Sequence, residues 1–208
     1  MPINLPDYAF TSIDVDTDLG TKFARSEGGL IITSRRSDPF WAGPMTTQPL
    51  TGWHDDNQHA AFRAFLTDCV DRNMRVDFIH PRHRLPGAYS LDTWPMAGDA
   101  RLVSVPNLRT ILVADLVVGM ILRQGDRISI TQGDVVVHRW IASDTLVSST
   151  LSQALPLTPR LPIGVLEADA VVVLKDPKMR FMIVPGSWKA DEVANPTPIT
   201  FEVSESLR

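Results

Sequence analysis

The sequence predicts a mainly β protein with one flanking helix, an α+β fold. Many short segments alternate between apolar and polar residues or are rich in β-branched residues, and turns containing Gly or Pro separate them. One segment has the apolar spacing of an amphipathic helix. With 208 residues, of which 44% are hydrophobic, the chain has an ordinary globular composition and can form one large domain or two small ones.

The first third of the chain contains two predicted strands and an extended segment. Phe10–Val15 roughly alternates, and Leu30–Thr33 is apolar and β-branched after a glycine pair; both patterns favour strands. Trp41–Leu50 is predicted to be extended. Its two prolines, Pro44 and Pro49, are expected to confine it to a sheet edge or an irregular path, because proline cannot donate a ladder hydrogen bond.

The predicted helix spans residues 55–73. Its apolar residues recur at i, i+3, i+4, i+7 and i+8, the stripe of an amphipathic helix; they are Phe62, Phe65, Leu66, Cys69 and Val70. Asp55 or Asp56 can cap its start, and Asn73 can end it in a left-handed conformation. One face is therefore expected to pack on a sheet.

The segments after the helix are a strand, a long connection and two later strands, the last of which is expected to return to a sheet. Residues 75–79 alternate as a strand, and the Pro- and Gly-rich segment 81–98 is predicted to be a long ordered loop or a domain crossing. Near the C-terminal end of the sequence, 180–184 and 199–203 are predicted strands, the second of them cleanly alternating.

The middle of the chain is predicted to be a compact β unit. A hairpin joins 127–131 to 134–141 around Gly133, where glycine supplies a positive φ. Other short strands are predicted at 102–105, 110–114 and 170–174. Closely spaced short strands favour a small barrel or sandwich.

Charge, cysteine content and hydropathy exclude several classes of protein. The net charge of −4 and the sequence pI of about 5.7 argue against a basic nucleic-acid-binding surface. The single cysteine, Cys69, excludes an internal disulfide and lies on the apolar stripe of the predicted helix. The N-terminal residues lack a signal-peptide pattern, and apolar runs are too short for a membrane span. We therefore expect a soluble protein made in the cytoplasm, with no membrane partner.

Motifs that carry catalytic or metal-binding chemistry are weak. Residues 14–20 resemble the start of a calcium loop, but Leu19 stands where glycine is needed and Arg25 where a bidentate carboxylate belongs. His80 and His83 are three residues apart, without further ligands nearby, which favours a surface loop over a zinc site. Nucleophile-elbow, P-loop and dinucleotide-binding patterns are missing from the sequence. We predict no enzyme activity and no cofactor or metal, although a carboxylate pair defined only in space stays possible.

The order of several weak motifs over residues 28–208 resembles a family of minor tail proteins encoded near the tail-tip genes of siphophages. The N-terminal motifs are Trp41-Ala42-Gly43, Ala61-Phe62-Arg63-Ala64-Phe65-Leu66 and a strand with Phe78 near its end. The later motifs are Gly125-Asp126-Arg127-Ile128, Pro159-Arg160-Leu161-Pro162, Ala168-Asp169-Ala170-Val171, Met179-Arg180-Phe181 and Phe201-Glu202-Val203-Ser204-Glu205-Ser206-Leu207. The chain departs from the family where Asn73-Met74 replaces a Leu-x-Gly after the helix.

The resemblance implies a domain organisation and a role. Residues 1–89 and 176–208 would form a tail-tube-like (belt) β domain with helix 55–73, and residues 90–175 an inserted small β-barrel. Such proteins form homo-oligomeric rings, commonly hexamers, that join the tail tube to other tail-tip or hub proteins. The expected location is the tail of the virion, after synthesis in the host cytoplasm.

Aromatic residues are the predicted intersubunit contacts, because interfaces favour aromatic anchors. They are Phe40, Trp41, Trp94 and Trp188. Two other functions stay open: a carbohydrate-binding β module whose aromatic side chains stack on sugars, and a hydrolase with an unrecognised carboxylate pair.

Overall fold

The computed structural model describes residues 2–6, 9–18, 21–25, 31–35, 40–50, 57–190 and 197–206. The described residues form two compact units, and the fold is mainly β with one helix among them, as predicted. We call them the sheet unit, whose described residues lie within 1–18, 40–78 and 180–206, and the barrel unit, whose described residues lie within 19–39 and 79–179.

The elements are numbered in chain order. Before the barrel they are β1 (Ile3–Asn4), β2 (Phe10–Ile13), β3 (Asp16–Asp18), β4 (Thr21–Arg25), β5 (Ile31–Arg35), β6 (Phe40–Thr47), α1 (Gln58–Asp71) and β7 (Val76–Ile79). The next are β8 (Ala100–Asn107), β9 (Thr110–Ala114), β10 (Ile121–Leu122), β11 (Arg127–Gln132), β12 (Val135–Ile141), β13 (Thr145–Leu146), β14 (Gln153–Thr158) and β15 (Val171–Val173). The last are β16 (Lys178–Ile183), β17 (Lys189–Ala190) and β18 (Ile199–Glu205).

The sheet runs in the order β1-β7-β16-β18-β6-β2, with β3 also paired to β6 and β17 to β18. Strand β1 pairs in parallel with β7, whereas β18 pairs antiparallel with both β16 and β6. In β18 the side chains of Ile199, Phe201 and Val203 are buried in alternation, which is the pattern that the sequence predicted.

Strand β6 corrects the expectation that Trp41–Leu50 lies at an edge, because it pairs with β18 on one side and with β2 and β3 on the other. Pro44 is tolerated in this strand because it lies beside the interruption between β2 and β3. Its carbonyl accepts a hydrogen bond from Asp14 N at 3.0 Å. The neighbouring Gly43 has φ +154°, and a Cβ there would lie 2.2 Å from the carbonyl oxygen of Asp14. Proline and glycine together therefore permit this close crossing within the sheet.

Helix α1 packs one face on the sheet, as predicted. Phe62, Leu66 and Cys69 are buried, and the rings of Phe62 and Phe201 meet edge to face with centroids 5.6 Å apart. Asn57 caps the start by accepting a hydrogen bond from Ala60 N at 3.1 Å. The predicted caps Asp55 and Asp56 lie outside the described residues.

The end of α1 confirms the predicted role of Asn73. Asn73 has φ +52°, in the left-handed region. The backbone N–H groups of Met74 and Asn73 donate to the carbonyls of Cys69 and Val70, at 2.8 and 3.1 Å. These two bonds form a Schellman motif, which satisfies carbonyls at the helix end.

The barrel is closed, and its strand order is β11-β12-β14-β9-β8-β15, with β15 paired back to β11. Every adjacent pair in it is antiparallel. The predicted hairpin is present as β11 and β12, and Gly133 in its turn has φ +56°. Aliphatic side chains such as Leu102, Ile130 and Val137 fill the interior and are fully buried.

The barrel is inserted between β7 and β16, which are hydrogen-bonded neighbours in the sheet. The chain passes from one unit to the other at residues 78–79 and 179–180, whereas the boundaries predicted from the sequence are 89–90 and 175–176. The barrel unit also includes the antiparallel hairpin β4–β5, which was predicted to belong to the first domain. Residues 80–99 contain no helix or strand and form an ordered connection, as expected from their prolines.

Candidate functional site

Two segments of the barrel unit connect it to the strands of the sheet. The first covers residues 80–89, directly after β7. The second covers residues 174–179, which lead into β16 and include its first two residues. We call them the crossing segments. All contacts described for them below lie within the barrel unit.

Asp126 binds the first crossing segment to the barrel. It follows Gly125, whose φ is +90°, and its buried carboxylate accepts hydrogen bonds from Gly87 N at 2.8 Å and from Arg123 N at 2.6 Å. Hydrogen bonds to an ionised carboxylate are stronger than neutral ones. The Gly-Asp pair at the start of β11 therefore closes the turn before the strand and holds Gly87 in place.

Arg84 and Asp176 bind the two crossing segments to each other. Asp176 N donates to the carbonyl of Arg84 at 2.6 Å, and Arg84 Nε donates to Asp176 Oδ1 at 2.6 Å. Asp176 has φ +55°, a left-handed conformation that Asp adopts more readily than most residues. The side chains of the pair are 56% and 26% exposed, so water screens their attraction.

The second crossing segment covers the outer face of the hairpin β11–β12. Ser129 lies opposite His138, and Arg127 opposite Trp140, so these four side chains share one face. Lys178 N donates to Ser129 Oγ at 3.1 Å, and Ser129 and His138 are both buried. The guanidinium carbon of Arg127 lies 5.8 Å from the centroid of the Trp140 ring, a cation–π arrangement.

The charge of Arg127 acts on three histidines, His80, His83 and His138, which we call the histidine cluster. The rings of His80 and His83 lie 4.6 Å apart, and Arg82 N donates to His80 Nδ1 at 3.2 Å. Burial, followed by the charge of Arg127, lowers the pKa of His80 to about 4. The same two causes lower the pKa of His83 and hold that of His138 well below its usual value. At neutral pH all three imidazoles are therefore uncharged.

The geometry corrects the interpretation of His80 and His83 as a surface loop. His80 is 8% exposed and joins the buried cluster, and His83 is half-buried. Neutral imidazoles can ligate a metal. Among the described residues, however, no three His, Cys, Asp or Glu side chains converge as a metal site would require.

Cys69 belongs to the core of the sheet unit, as its position on the apolar stripe predicted. Its thiol is buried and free. Burial, with a smaller contribution from Asp68, raises the pKa of the thiol to about 11. At neutral pH the thiol is protonated, whereas a cysteine nucleophile reacts as the thiolate.

The aromatic residues predicted as intersubunit contacts divide into two groups. Trp41 is fully buried in the sheet unit, so its side chain has no surface for a neighbouring subunit, and we correct its assignment to core packing. Phe40, Trp94 and Trp188 are half-buried, and their role in contacts between subunits stays a prediction. Trp94 packs on the barrel core and meets Tyr89 edge to face, with ring centroids 5.8 Å apart.

A buried ion pair in the sheet unit was not predicted from the sequence. Arg180 on β16 binds Asp77 on β7 through two hydrogen bonds, Nε to Oδ1 at 2.6 Å and Nη2 to Oδ2 at 3.0 Å. Both residues are nearly buried. The available signal was a single charge at the centre of each apolar strand, between Val76 and Phe78 and between Met179 and Phe181.

No protein-family model matches this sequence, and a search of curated proteins finds no relative. Among the described residues, no helix has both the length and the apolar character needed to cross a membrane.

Proposed function

We propose that the chain is a structural subunit of a bacteriophage tail tip, a distal tail or baseplate ring protein that joins the tail tube to other tip or hub proteins. The observation that carries this proposal is the closed six-stranded barrel inserted between neighbouring strands β7 and β16 of a sheet with one flanking helix. The resemblance in sequence implies the same arrangement. The proposed assembly is a homo-oligomeric ring, a hexamer, in the tail of the virion.

The crossing segments support a mechanical rather than a catalytic role. Gly87 N is bound by Asp126, and Lys178 N by Ser129, so backbone groups of both segments are fixed to the barrel wall. Pro81 and Pro86 further restrict the first segment. The inserted barrel is therefore preceded and followed in the sequence by ordered segments rather than by flexible linkers.

Measuring the mass of the purified full-length chain tests the proposal. We expect light scattering after size exclusion to give a multiple of the 23.0 kDa chain, and negative-stain electron microscopy to show rings with six copies. A chain that stays monomeric from nanomolar to high micromolar concentration contradicts the proposal.

The same preparation separates the two other functions. A carbohydrate-binding module should be a monomer whose melting temperature rises with a glycan, because a ligand that binds only the folded state stabilises it. A hydrolase should turn over a glycoside or ester substrate, and substitution of a carboxylate should abolish this turnover. A ring that responds to neither probe supports the structural role.

A further inference from the structure

The loop that follows β7 encloses an open pocket of about 260 Å³ within the barrel unit. Two arginines and several apolar residues form its walls, and we call it the arginine pocket. The residues that matter for its chemistry are Pro81, Arg82, Arg84, Leu85, Tyr89 and Leu91. None of the described residues that line it is an aspartate or a glutamate. The pocket therefore combines apolar surface with two positive charges, in a chain whose net charge is −4.

Hydrogen bonds within the barrel unit fix the walls of the arginine pocket. Gly87 N donates to Asp126 Oδ1 at 2.8 Å, and Tyr89 N donates to the carbonyl of Pro86 at 2.9 Å. The hydroxyl of Tyr89 accepts a further bond from Ile121 N at 2.7 Å. A preformed pocket loses less conformational entropy on binding than a mobile loop does. The walls are therefore suited to hold a ligand.

Asp176 orients Arg84 in a way that leaves half of its guanidinium available. Arg84 Nε donates to Asp176 Oδ1 at 2.6 Å, whereas the two Nη groups have no acceptor among the described residues. Asp176 itself does not line the pocket. The two free Nη groups form a planar fork that matches the two oxygens of a carboxylate.

Arg82 supplies the second positive charge of the pocket. Its side chain is exposed, and no carboxylate pairs with it among the described residues. A guanidinium only donates hydrogen bonds, so two of them favour groups that only accept, such as carboxylates and phosphates. A neutral sugar also needs acceptors for its hydroxyls, and the described lining contains no carboxylate or amide side chain. The pocket therefore favours an anion.

The apolar part of the lining decides which anion fits. Leu91 is 64% exposed, and Leu85 and Tyr89 are half-buried. An aliphatic side chain would remove this surface from water, whereas a free phosphate would leave it hydrated. A cavity of roughly 150 Å³ already accepts benzene, so the larger arginine pocket has room for an aliphatic side chain beside a carboxylate.

We propose that the arginine pocket binds an acidic segment of a partner protein, in which an aliphatic side chain lies next to an aspartate or glutamate. The aliphatic side chain packs on Leu85 and Leu91. The carboxylate accepts hydrogen bonds from the Nη groups of Arg84, and Arg82 adds a second attraction. The pocket belongs to a single chain, so this inference does not depend on the formation of a ring.

Two acetylated peptide amides test the proposal on the full-length chain, Leu-Glu-Glu-Leu and its neutral counterpart Leu-Gln-Gln-Leu. Saturation-transfer NMR measures weak binding to a chain in any oligomeric state. The acidic peptide should bind at least about tenfold more tightly, because charge-assisted hydrogen bonds are stronger than neutral ones, and salt should reduce the difference. An acidic peptide that does not bind up to about 10 mM, or binds no better than the neutral one, overturns the proposal.

Three arginine variants locate the binding. Arg82→Gln and Arg84→Gln should each weaken the binding of the acidic peptide by about three- to tenfold. Arg109→Gln removes the same charge at an exposed position outside the lining and should bind like the wild type. The bond from Asp176 N to the Arg84 carbonyl does not need the side chain, so the pocket should keep its shape, and melting temperatures check this. Equal affinities in all three variants would place the peptide elsewhere and overturn the proposal.

Leu91→Ala tests the apolar half of the pocket. It should weaken the binding of the acidic peptide about threefold, because less apolar surface is buried. Ile163→Ala is the matched control, since Ile163 is 70% exposed and lies outside the lining. An unchanged affinity in Leu91→Ala contradicts the aliphatic contact. Inorganic phosphate should compete only weakly. Phosphate that binds as tightly as the acidic peptide would make the pocket a simple anion site and overturn the assignment to a protein segment.

Discussion

The sheet unit and the barrel unit bury polar side chains by opposite physical means. In the sheet unit, Asp77 and Arg180 are a bidentate pair of opposite charges on adjacent strands. In the barrel unit, burial and the charge of Arg127 keep the imidazoles of His80, His83 and His138 neutral. The first arrangement depends on keeping both charges, and the second on keeping three groups uncharged.

Because of this difference, the stabilities of the two units should respond to different changes. Removing one partner of a buried ion pair leaves an uncompensated charge, so the sheet unit should be sensitive to substitution. Protonating an imidazole beside Arg127 adds a like charge, so the barrel unit should be sensitive to acid. Urea unfolding followed by hydrogen exchange of peptides from each unit can measure the two effects separately.

The largest expected effect is that of Asp77→Ala. Because the substitution removes the carboxylate that binds the buried Arg180 guanidinium through two hydrogen bonds, we expect the sheet unit to lose about 3–5 kcal/mol of unfolding free energy. The barrel peptides should change little. The double variant Asp77→Leu/Arg180→Met should recover most of the loss, since apolar replacements remove both charges. A loss below about 1 kcal/mol in the single variant contradicts this account of the pair.

Acid should destabilise the barrel unit before it affects the sheet unit. The pKa of His80 is near 4 in the folded chain and about 6.5 when unfolded, so the unfolded chain takes up the proton first as the pH falls. The contribution of His80 is therefore complete above pH 6.5 and decreases towards pH 4. Between pH 7.5 and 5 this amounts to about 2 kcal/mol at most, measured as the urea midpoint of barrel peptides.

A matched variant checks the assignment to His80. His80→Gln keeps a polar side chain of similar size without the titration, so the barrel unit of this variant should lose less stability between pH 7.5 and 5 than that of the wild type. His83 and His138 have lowered pKa values too and should account for the remaining dependence. An unchanged pH profile in the variant would show that His80 does not titrate as described.

The fold class and several local elements could be predicted because their signals are periodic or depend on single residues. The spacing of Phe62, Leu66 and Cys69 predicted the buried face of α1, and Asn73 ends the helix in the predicted conformation. Gly133 marked the turn of the hairpin β11–β12. In each case the signal that predicts the feature lies within a few residues along the chain.

Contacts between residues that are far apart in the sequence could not be predicted. Pro44 suggested an edge strand. In the structure its missing N–H lies beside the interruption between β2 and β3, and this interruption is formed by residues about 30 positions away in the sequence. Trp41 was predicted to be an interface residue but is fully buried. The sequence could not separate the two roles, because aromatic residues suit cores and interfaces equally. Arg180 and Asp77 are 103 residues apart in the sequence, and all the strands of the closed barrel lie between them along the chain.

The cap of α1 gives a smaller, local test in the sheet unit. Asn57→Ala removes the acceptor for Ala60 N, which should cost about 1 kcal/mol and speed hydrogen exchange at the start of the helix. Thr67→Ala, at an exposed position in the middle of the helix, is the control and should be nearly neutral or slightly stabilising. Equal effects of the two variants would indicate that the cap does not stabilise the helix.

The smallest effect on stability is expected at the exposed ion pair Arg84–Asp176. Comparing it with the buried pair Asp77–Arg180 shows how burial determines the contribution of an ion pair. Its 2.6 Å contact is as short as the Arg180 Nε–Asp77 contact, but the Arg84 side chain is 56% exposed against 6% for Arg180. Arg84→Met should therefore lower the stability of the barrel unit by less than about 1 kcal/mol, and high salt should reduce even this difference. The backbone bond from Asp176 N to the Arg84 carbonyl survives the substitution and continues to join the two crossing segments. A loss as large as that of Asp77→Ala would mean that the distance, rather than the exclusion of water, determines the strength of these ion pairs.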